Sequence, residues 1–148
     1  MRVLVQRVST ASVSVDAHKI GEIQGGLLLL VGFGRGDAPP LLAPMTDKIL
    51  NLRVFPDRAG RFQHSVLDTG GDLLAIPQFT LYADTRRGRR PEFTNALAPD
   101  QAVSLFAQFV DLLRACGARR VATGQFGAHM QVESCNDGPV TLLLERDT

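Results

Sequence analysis

The chain has no tryptophan, a single tyrosine, two cysteines and only two lysines among its 148 residues. Each scarcity excludes something. Cys116 and Cys135 have no CxxC spacing and no neighbouring histidine, so they read as two reduced structural thiols and not as a redox or metal pair. His18, His64 and His129 stand apart from one another and from any Asp, Glu or Cys at ligand spacing; no metal site is expected, and no cofactor. The longest apolar stretch, Leu27 to Val31, is far shorter than the roughly 20 residues that span a bilayer, so no membrane contact is expected. The start, Met1 to Arg7, lacks the hydrophobic core and small-residue cleavage site of a secretory signal, which points to the cytoplasm. A net charge of +1 supplies no global attraction to nucleic acid, so any RNA contact must come from a local patch. Gly32-Phe33-Gly34-Arg35-Gly36 lacks both the full dinucleotide pattern and the Lys-Ser/Thr of a P-loop, and reads as a flexible turn.

What is present describes one folded unit. Hydrophobic residues make up 45% and charged residues 21%, the balance of a soluble globular protein. A chain of this length buries about 68–70% of its unfolded surface around one core, so residues 1–148 are read as a single domain. Val3 to Val8 and Ala11 to Asp16 are β-branched runs divided by Ser9-Thr10, an opening pair of strands. Ile20 to Ile23 and Gly26 to Gly32 follow as a short strand and a buried one. Pro39 to Leu52 carries Leu42, Met45, Ile49 and Leu52 at helical spacing, and Asp57-Arg58-Ala59-Gly60 has hairpin-turn chemistry. Pro99 to Cys116 is the clearest helix, with Val103, Phe106, Phe109, Val110 and Leu113 on one stripe and Gly117 as its stop. Arg119 to Thr123, His129 to Cys135 and Val140 to Glu145 complete the strands. The fold class is α+β: a mixed sheet or partly closed β-barrel flanked by two main helices.

Three segments carry chemistry. Asn136-Asp137-Gly138-Pro139-Val140-Thr141 leads a Gly-Pro bond straight into an apolar run. Proline gives a ladder no N–H, and the preceding glycine lets carbonyls take directions that a Cβ would forbid. A cis X-Pro bond lies only about 0.5–1 kcal/mol above trans. The hexapeptide is either a rigid pair of carbonyls aimed at a ligand or an ordinary turn before a strand. Asp72 to Leu81 reads as a buried strand, in which Gln78 and Thr80 interrupt an apolar run and need polar partners. Arg86-Arg87-Gly88-Arg89-Arg90-Pro91 sets four guanidinium groups in a loop just beyond it. Arginine grips phosphate as a planar fork, so Arg86, Arg87, Arg89 and Arg90 are either phosphate ligands or a solvated charge run. Period-two alternation turns Ala128, Met130 and Val132 to one face and His129 to the other, making Met130 inward and His129 exposed without a role. Asp84 and Glu92 have no spacing that identifies an acid–base pair.

Together, Pro77-Gln78-Phe79-Thr80-Leu81 and Asn136-Asp137-Gly138-Pro139-Val140-Thr141 resemble the two signature motifs of the D-aminoacyl-tRNA deacylases, also called D-tyrosyl-tRNA deacylases. The likeness continues in family order through Val5-Gln6-Arg7-Val8, Ala11-Ser12-Val13, Gly26 to Gly32, Leu52-Arg53-Val54-Phe55, Ala83 to Arg86, Arg90-Pro91-Glu92-Phe93 and Thr123 to Ala128 before Met130. It covers essentially the whole chain. Pro77 departs from it, standing where the family usually has Ser, which removes a hydroxyl and a backbone donor from the edge of the site. Proline there is similar to a sister branch of tRNA deacylases with different chiral selectivity, whereas Phe79 and the intact second motif fit the D-specific branch.

The resemblance implies a homodimer with composite active sites that hydrolyses the ester joining a D-amino acid to the acceptor end of tRNA. It places an oxyanion hole at the N–H groups of Gln78 and Phe79. Thr80 is either a nucleophile, for which no base stands nearby in sequence, or a residue that orders the pocket while the substrate's own 2′-hydroxyl assists attack; the likeness favours the second. Substrate binding and chiral selection fall to Gly138 and Pro139, with Asn136, Ala128 and Met130. Carbonyls of a Gly-cisPro element near the substrate α-carbon would clash with an L side chain, and this logic cannot exclude glycyl-tRNA. A noncatalytic RNA-binding module would keep the arginine loop but need neither pocket motif, so their co-occurrence favours the hydrolase.

Overall fold

In the computed structural model, which describes residues 1–147, strand β1 spans Arg2–Val15 without a break. Val3 and Val5 are buried while Arg2, Leu4 and Gln6 between them are half-exposed, the alternation expected of a strand with one face on a core. The expected division at Ser9-Thr10 is not a chain break. It is where β1 changes neighbours: residues 2–8 pair with β3 (Gly26–Gly32) and residues 11–15 with β2 (His18–Ile23), both antiparallel.

Helix α1 (Leu42–Asn51) follows a short 3₁₀ turn at Pro39–Leu41, so Pro39 stands just ahead of the α-helical turns, where its missing N–H costs nothing. The hairpin β4 (Phe55–Pro56) and β5 (Phe62–His64) closes at Asp57, whose N–H donates to the Arg61 carbonyl at 2.8 Å. The four-residue α2 (Val66–Thr69) starts from a Ser65–Asp68 capping box. Strand β6 (Asp72–Pro77) then runs parallel to β3, and the unbroken apolar sequence of both is that of strands covered on two faces. It stops at Pro77, short of the predicted Leu81, and residues Phe79–Tyr82 wind into a 3₁₀ turn.

Helix α3 (Pro99–Ala115) buries Ala102, Leu105, Phe106, Phe109, Val110 and Leu113. Val103, predicted on that stripe, is 45% exposed because it lies at the stripe's edge, about a quarter turn from its centre. Strand β7 (Val121–Thr123) pairs parallel with β6. The last strand, β8 (Met130–Glu145), joins the two strands predicted there into one, because both halves pair antiparallel with β1.

The order β2-β1-β3-β6-β7 brings β7 back beside β2, where the Thr123 carbonyl lies 3.1 Å from the place a Cβ on Gly21 would occupy. The sheet is thus a nearly closed barrel. Val8, Ala11, Val13, Ile23, Leu28, Leu74 and Ile76 fill its interior. A larger core that includes Leu27, Leu29, Leu73, Met45, Ile49 and Phe109 lies between the opposite sheet face and helices α1 and α3. Strand β8 is bonded to β1 along one edge and leaves Val132, Leu142 and Leu143 between 38% and 50% exposed. No helix among the described residues is long and apolar enough to cross a membrane.

Candidate active site

A cavity of about 640 Å³ opens where β6 ends. Ile76, Pro77, Gln78 and Phe79 form one wall, Phe93 and Leu97 a second, and Phe126, Ala128, His129 and Met130 a third. It is an apolar pocket with few polar groups, the usual form of a small-ligand site. Phe79 is 53% exposed and meets the Phe93 ring edge-on at 4.9 Å between centroids. Met130 is held inward, as predicted: its side chain packs on the barrel core and its sulfur accepts from the Gln125 N–H at 3.4 Å. His129, predicted to open this strand, stands just before it and is exposed, yet it lines this cavity, so the structure places it at the site and not away from it.

The first motif is arranged by the end of β6. Gln78 donates its N–H to the Val31 carbonyl at 2.7 Å, which commits that group to the sheet. Phe79 and Thr80 open the 3₁₀ turn, and the first N–H groups of any helical turn have no acceptor within it. Of the predicted pair, the Phe79 N–H thus has no acceptor within the turn, nor has that of Thr80 beside it, whereas the Gln78 N–H is bonded to Val31. Gln78 also donates its side-chain amide to the Thr80 hydroxyl. An amide is no base, and Thr80 has no other side-chain hydrogen-bond partner among the described residues.

The second motif is a bulge. On β1, Gln6 faces Thr141 and Val8 faces Asn136, so Arg7 alone stands opposite residues 137–140. The Gly138–Pro139 bond is cis, and both residues are exposed. Asn136 closes the bulge at its base: its side-chain carbonyl accepts from the Val140 N–H at 2.9 Å, and its amide donates to the Thr141 hydroxyl at 2.8 Å. Arg7 supports it from beneath, donating from Nε to the Asp137 carbonyl at 2.9 Å and from Nη1 to the Val54 carbonyl at 2.7 Å. Gly138 has φ +147°, and a Cβ there would lie 2.7 Å from both the Val140 nitrogen and its Cγ2. Within one chain, Gly138, Pro139 and Asn136 are not among the residues lining the apolar cavity.

Arg7 stands within the family likeness but received no role from the sequence, although a signal was present. Val3, Val5 and Arg7 share one parity on β1, so an arginine falls at an inward position. A buried guanidinium requires several acceptors, and the bulge carbonyl is one of them.

In the arginine loop the four cations are not equivalent. Asp84 and Glu92 exchange backbone hydrogen bonds at 2.7 and 2.9 Å, closing the neck of the loop. Arg86 folds back onto Asp84, with Nη2 2.6 Å from Oδ2, and this pairing holds the Asp84 carboxyl at about 2, far from a general acid's range. Arg87, Arg89 and Arg90 are exposed and make no ion pair among the described residues.

Comparison with known proteins fits this geometry. Residues 4–145 match the family model for D-Tyr-tRNA(Tyr) deacylase. The D-aminoacyl-tRNA deacylase of Chloroherpeton thalassium is 53% identical over 148 residues, covering all of this chain and 97% of that protein. Its counterpart in Roseiflexus castenholzii is 52% identical over 145 residues, covering 98% and 92% of the respective chains. A solved structure of the c-Myc DNA Unwinding Element Binding Protein superimposes with a TM-score of 0.94 at 39% identity, over the full length of both chains. The cavity, the bulge and the two motifs that form them thus occur in a chain that belongs to the D-Tyr-tRNA(Tyr) deacylase family.

Proposed function

We propose that this chain is an aminoacyl-tRNA editing hydrolase that cleaves the ester of D-aminoacyl-tRNA to free D-amino acid and tRNA. The observation that carries the reading is the apolar cavity walled by Gln78 and Phe79, at the start of a 3₁₀ turn whose first N–H groups have no acceptor within it. Ester hydrolysis passes through a tetrahedral oxyanion, and fixed N–H donors stabilise it; losing one such donor costs on the order of 10²–10³ in rate. Gln78 and Phe79 line the cavity, and Gln78 holds the hydroxyl of Thr80 beside it. No base touches Thr80, so the 2′-hydroxyl of the substrate's terminal ribose assists the attack and the protein contributes positioning.

Chiral selection falls to Gly138 and Pro139, acting in the cavity of a partner protomer. Their exposure on a bulge, and their absence from the walls of their own chain's cavity, support a two-fold homodimer with composite sites. The unpaired edge of β8, with Val132, Leu142 and Leu143 exposed beside it, is a surface such a partner would cover. There the carbonyls exclude an L side chain, while Ala128 and Met130 line the wall that receives the substrate. Glycine has no side chain to exclude, so glycyl-tRNA is a substrate as well. The hydrolase works in the cytoplasm, without a metal, on the acceptor end of tRNA, with Arg87, Arg89 and Arg90 as the loop's phosphate ligands and Arg86 ordering the loop through Asp84.

The direct test is to follow deacylation of D-tyrosyl-, L-tyrosyl- and glycyl-tRNA in the presence of chelator. D-tyrosyl- and glycyl-tRNA should be hydrolysed and L-tyrosyl-tRNA spared; equal hydrolysis of both enantiomers would move the chain to the relaxed deacylases to which Pro77 is similar. Activity lost in chelator and regained with zinc would refute metal independence. A chain that binds tRNA but hydrolyses none of the three would be a nucleic-acid-binding module.

The mechanism has its own test. Thr80→Ala should keep kcat/KM within about tenfold of the parent, whereas a substrate whose terminal ribose lacks the 2′-hydroxyl should lose on the order of 10²-fold. An acyl ester trapped on Thr80 would reverse that assignment.

A further inference from the structure

The turn Phe79–Tyr82 separates two cavities of opposite character. Phe79 lines the apolar one, and Tyr82 lines a second of about 440 Å³ whose walls include Arg2, Arg35, Arg86 and Asn95. A 3₁₀ turn rises about 2 Å per residue, so the two aromatic residues stand about 6 Å apart along it.

Most of the cations around the second cavity are engaged. Arg86 is committed to Asp84 at 2.6 Å. Arg2 meets Glu145 at 2.7 Å through Nε and donates Nη1 to the Leu81 carbonyl at 2.8 Å. Asp37 is paired with the Met1 ammonium at 2.8 Å. Arg35 makes no ion pair among the described residues, so its guanidinium is the one lining the cavity that is not committed to a carboxylate.

Its position is built, which corrects the expectation of a flexible turn at Gly32 to Gly36. Arg35 donates its N–H to the Asn95 carbonyl at 2.8 Å, and Gly34 donates to Asp37 Oδ2 at 2.7 Å. Gly34 lies flat against Tyr82, where a Cβ would come within 2.3 Å of the ring. The Arg2 guanidinium lies 4.6 Å from the centre of that ring. Burial, followed by the charge of Asp37 and those of Asp147 and Glu145 against the opposing Arg2, pushes the Tyr82 hydroxyl up to about 12, so at neutral pH it is an uncharged donor.

We propose that this cavity binds one internucleotide phosphate of the single-stranded 3′ end of the RNA, with Arg35 as its counter-charge and the Tyr82 hydroxyl as a further donor, while the esterified terminal nucleoside lies across the turn. The inference rests on the editing-hydrolase reading for the identity of the RNA. A phosphodiester carries a single negative charge, which one unmatched guanidinium balances, and arginine's planar fork suits two phosphate oxygens. A dianionic phosphomonoester would require a second free cation, and Arg2 and Arg86 are both engaged.

The experiment measures binding of uncharged tRNA against salt concentration, for the intact molecule and for one trimmed of its single-stranded 3′ end. Neutralising one single-strand phosphate contact contributes about 0.7 to the logarithmic salt slope. Arg35→Ala should therefore lower the slope for intact tRNA by about 0.7 and weaken binding roughly fivefold at 0.1 M salt, with no change for trimmed tRNA. Arg35→Lys, which keeps the charge, should retain most of the slope. An unchanged slope in Arg35→Ala, an equal drop on trimmed tRNA, or a defect confined to inorganic phosphate binding would each overturn the proposal. Hydrolysis of D-tyrosyl-tRNA by the parent protein, measured alongside, separates these failures from failure of the editing reading, in which the parent itself is inactive.

Discussion

Gly138→Ala should lower kcat/KM for D-tyrosyl-tRNA by about 100-fold or more while the protein stays folded. At φ +147° an L residue is strained, and its Cβ would press on Val140 N and Cγ2 at 2.7 Å. Neither neighbour is the far end of a flexible side chain, so the bulge itself must shift. Strain of this kind costs of the order of 1–3 kcal/mol. Because the bulge is exposed, the cost should appear as a fall in Tm of roughly 3–10 °C and not as loss of the fold. A displacement of about 1 Å at a positioning element is enough for a 10²-fold loss in rate. Steady-state kinetics beside a thermal melt would check it, and parent-like kcat/KM would show that the bulge does not touch the substrate.

Arg7→Met should be nearly as damaging to activity and more damaging to stability. Methionine keeps an apolar stem but withdraws the donors to the Asp137 and Val54 carbonyls at 2.9 and 2.7 Å. Hydrogen bonds from a charged group are worth about 1.5–3 kcal/mol each, and the Asp137 side chain on the other end of the ion pair is mostly exposed and adds little. A loss of about 3 kcal/mol in urea unfolding is expected, together with a fall of the order of 10² in kcat/KM. Arg7→Lys should be intermediate, since an ammonium on a flexible stem cannot hold two divergent carbonyls as the planar fork does. Unfolding and kinetics both like the parent would mean that the bulge is held without Arg7.

The strands and helices that place the site were legible where pattern and chemistry agreed. Gly26–Gly32 stands in the fold with the boundaries its sequence predicts, because an apolar run between glycines suits a strand covered on both faces. The errors arose where tertiary pairing overrode local signals. Ser9 and Thr10 suggested a break, but β8 runs beside β1 on both sides of them and holds it continuous. Gly138-Pro139 suggested two strands, but a common partner makes them one strand with a bulge. Pro77 ended β6 sooner than its hydrophobic continuation implied, and the Gln78 N–H pairs with the Val31 carbonyl. Of the cavity's far walls, Phe93 and Phe126 fell within the family likeness but nothing local placed them at the site, and Leu97 carried no signal. They come from loops and meet the first motif only through the fold.

Activity of hybrid dimers would test the composite chiral site most directly. Ala128→Trp should fill the cavity, and Gly138→Ala should spoil the bulge, leaving each parent variant nearly inactive. If the bulge of one protomer completes the cavity of the other, a purified hybrid of the two variants places both defects in one site and leaves the second intact. The hybrid should then hydrolyse D-tyrosyl-tRNA at about half the unmodified dimer's rate. A hybrid no more active than either parent variant would contradict the account, placing Gly138 and Ala128 in service of the same site or of none.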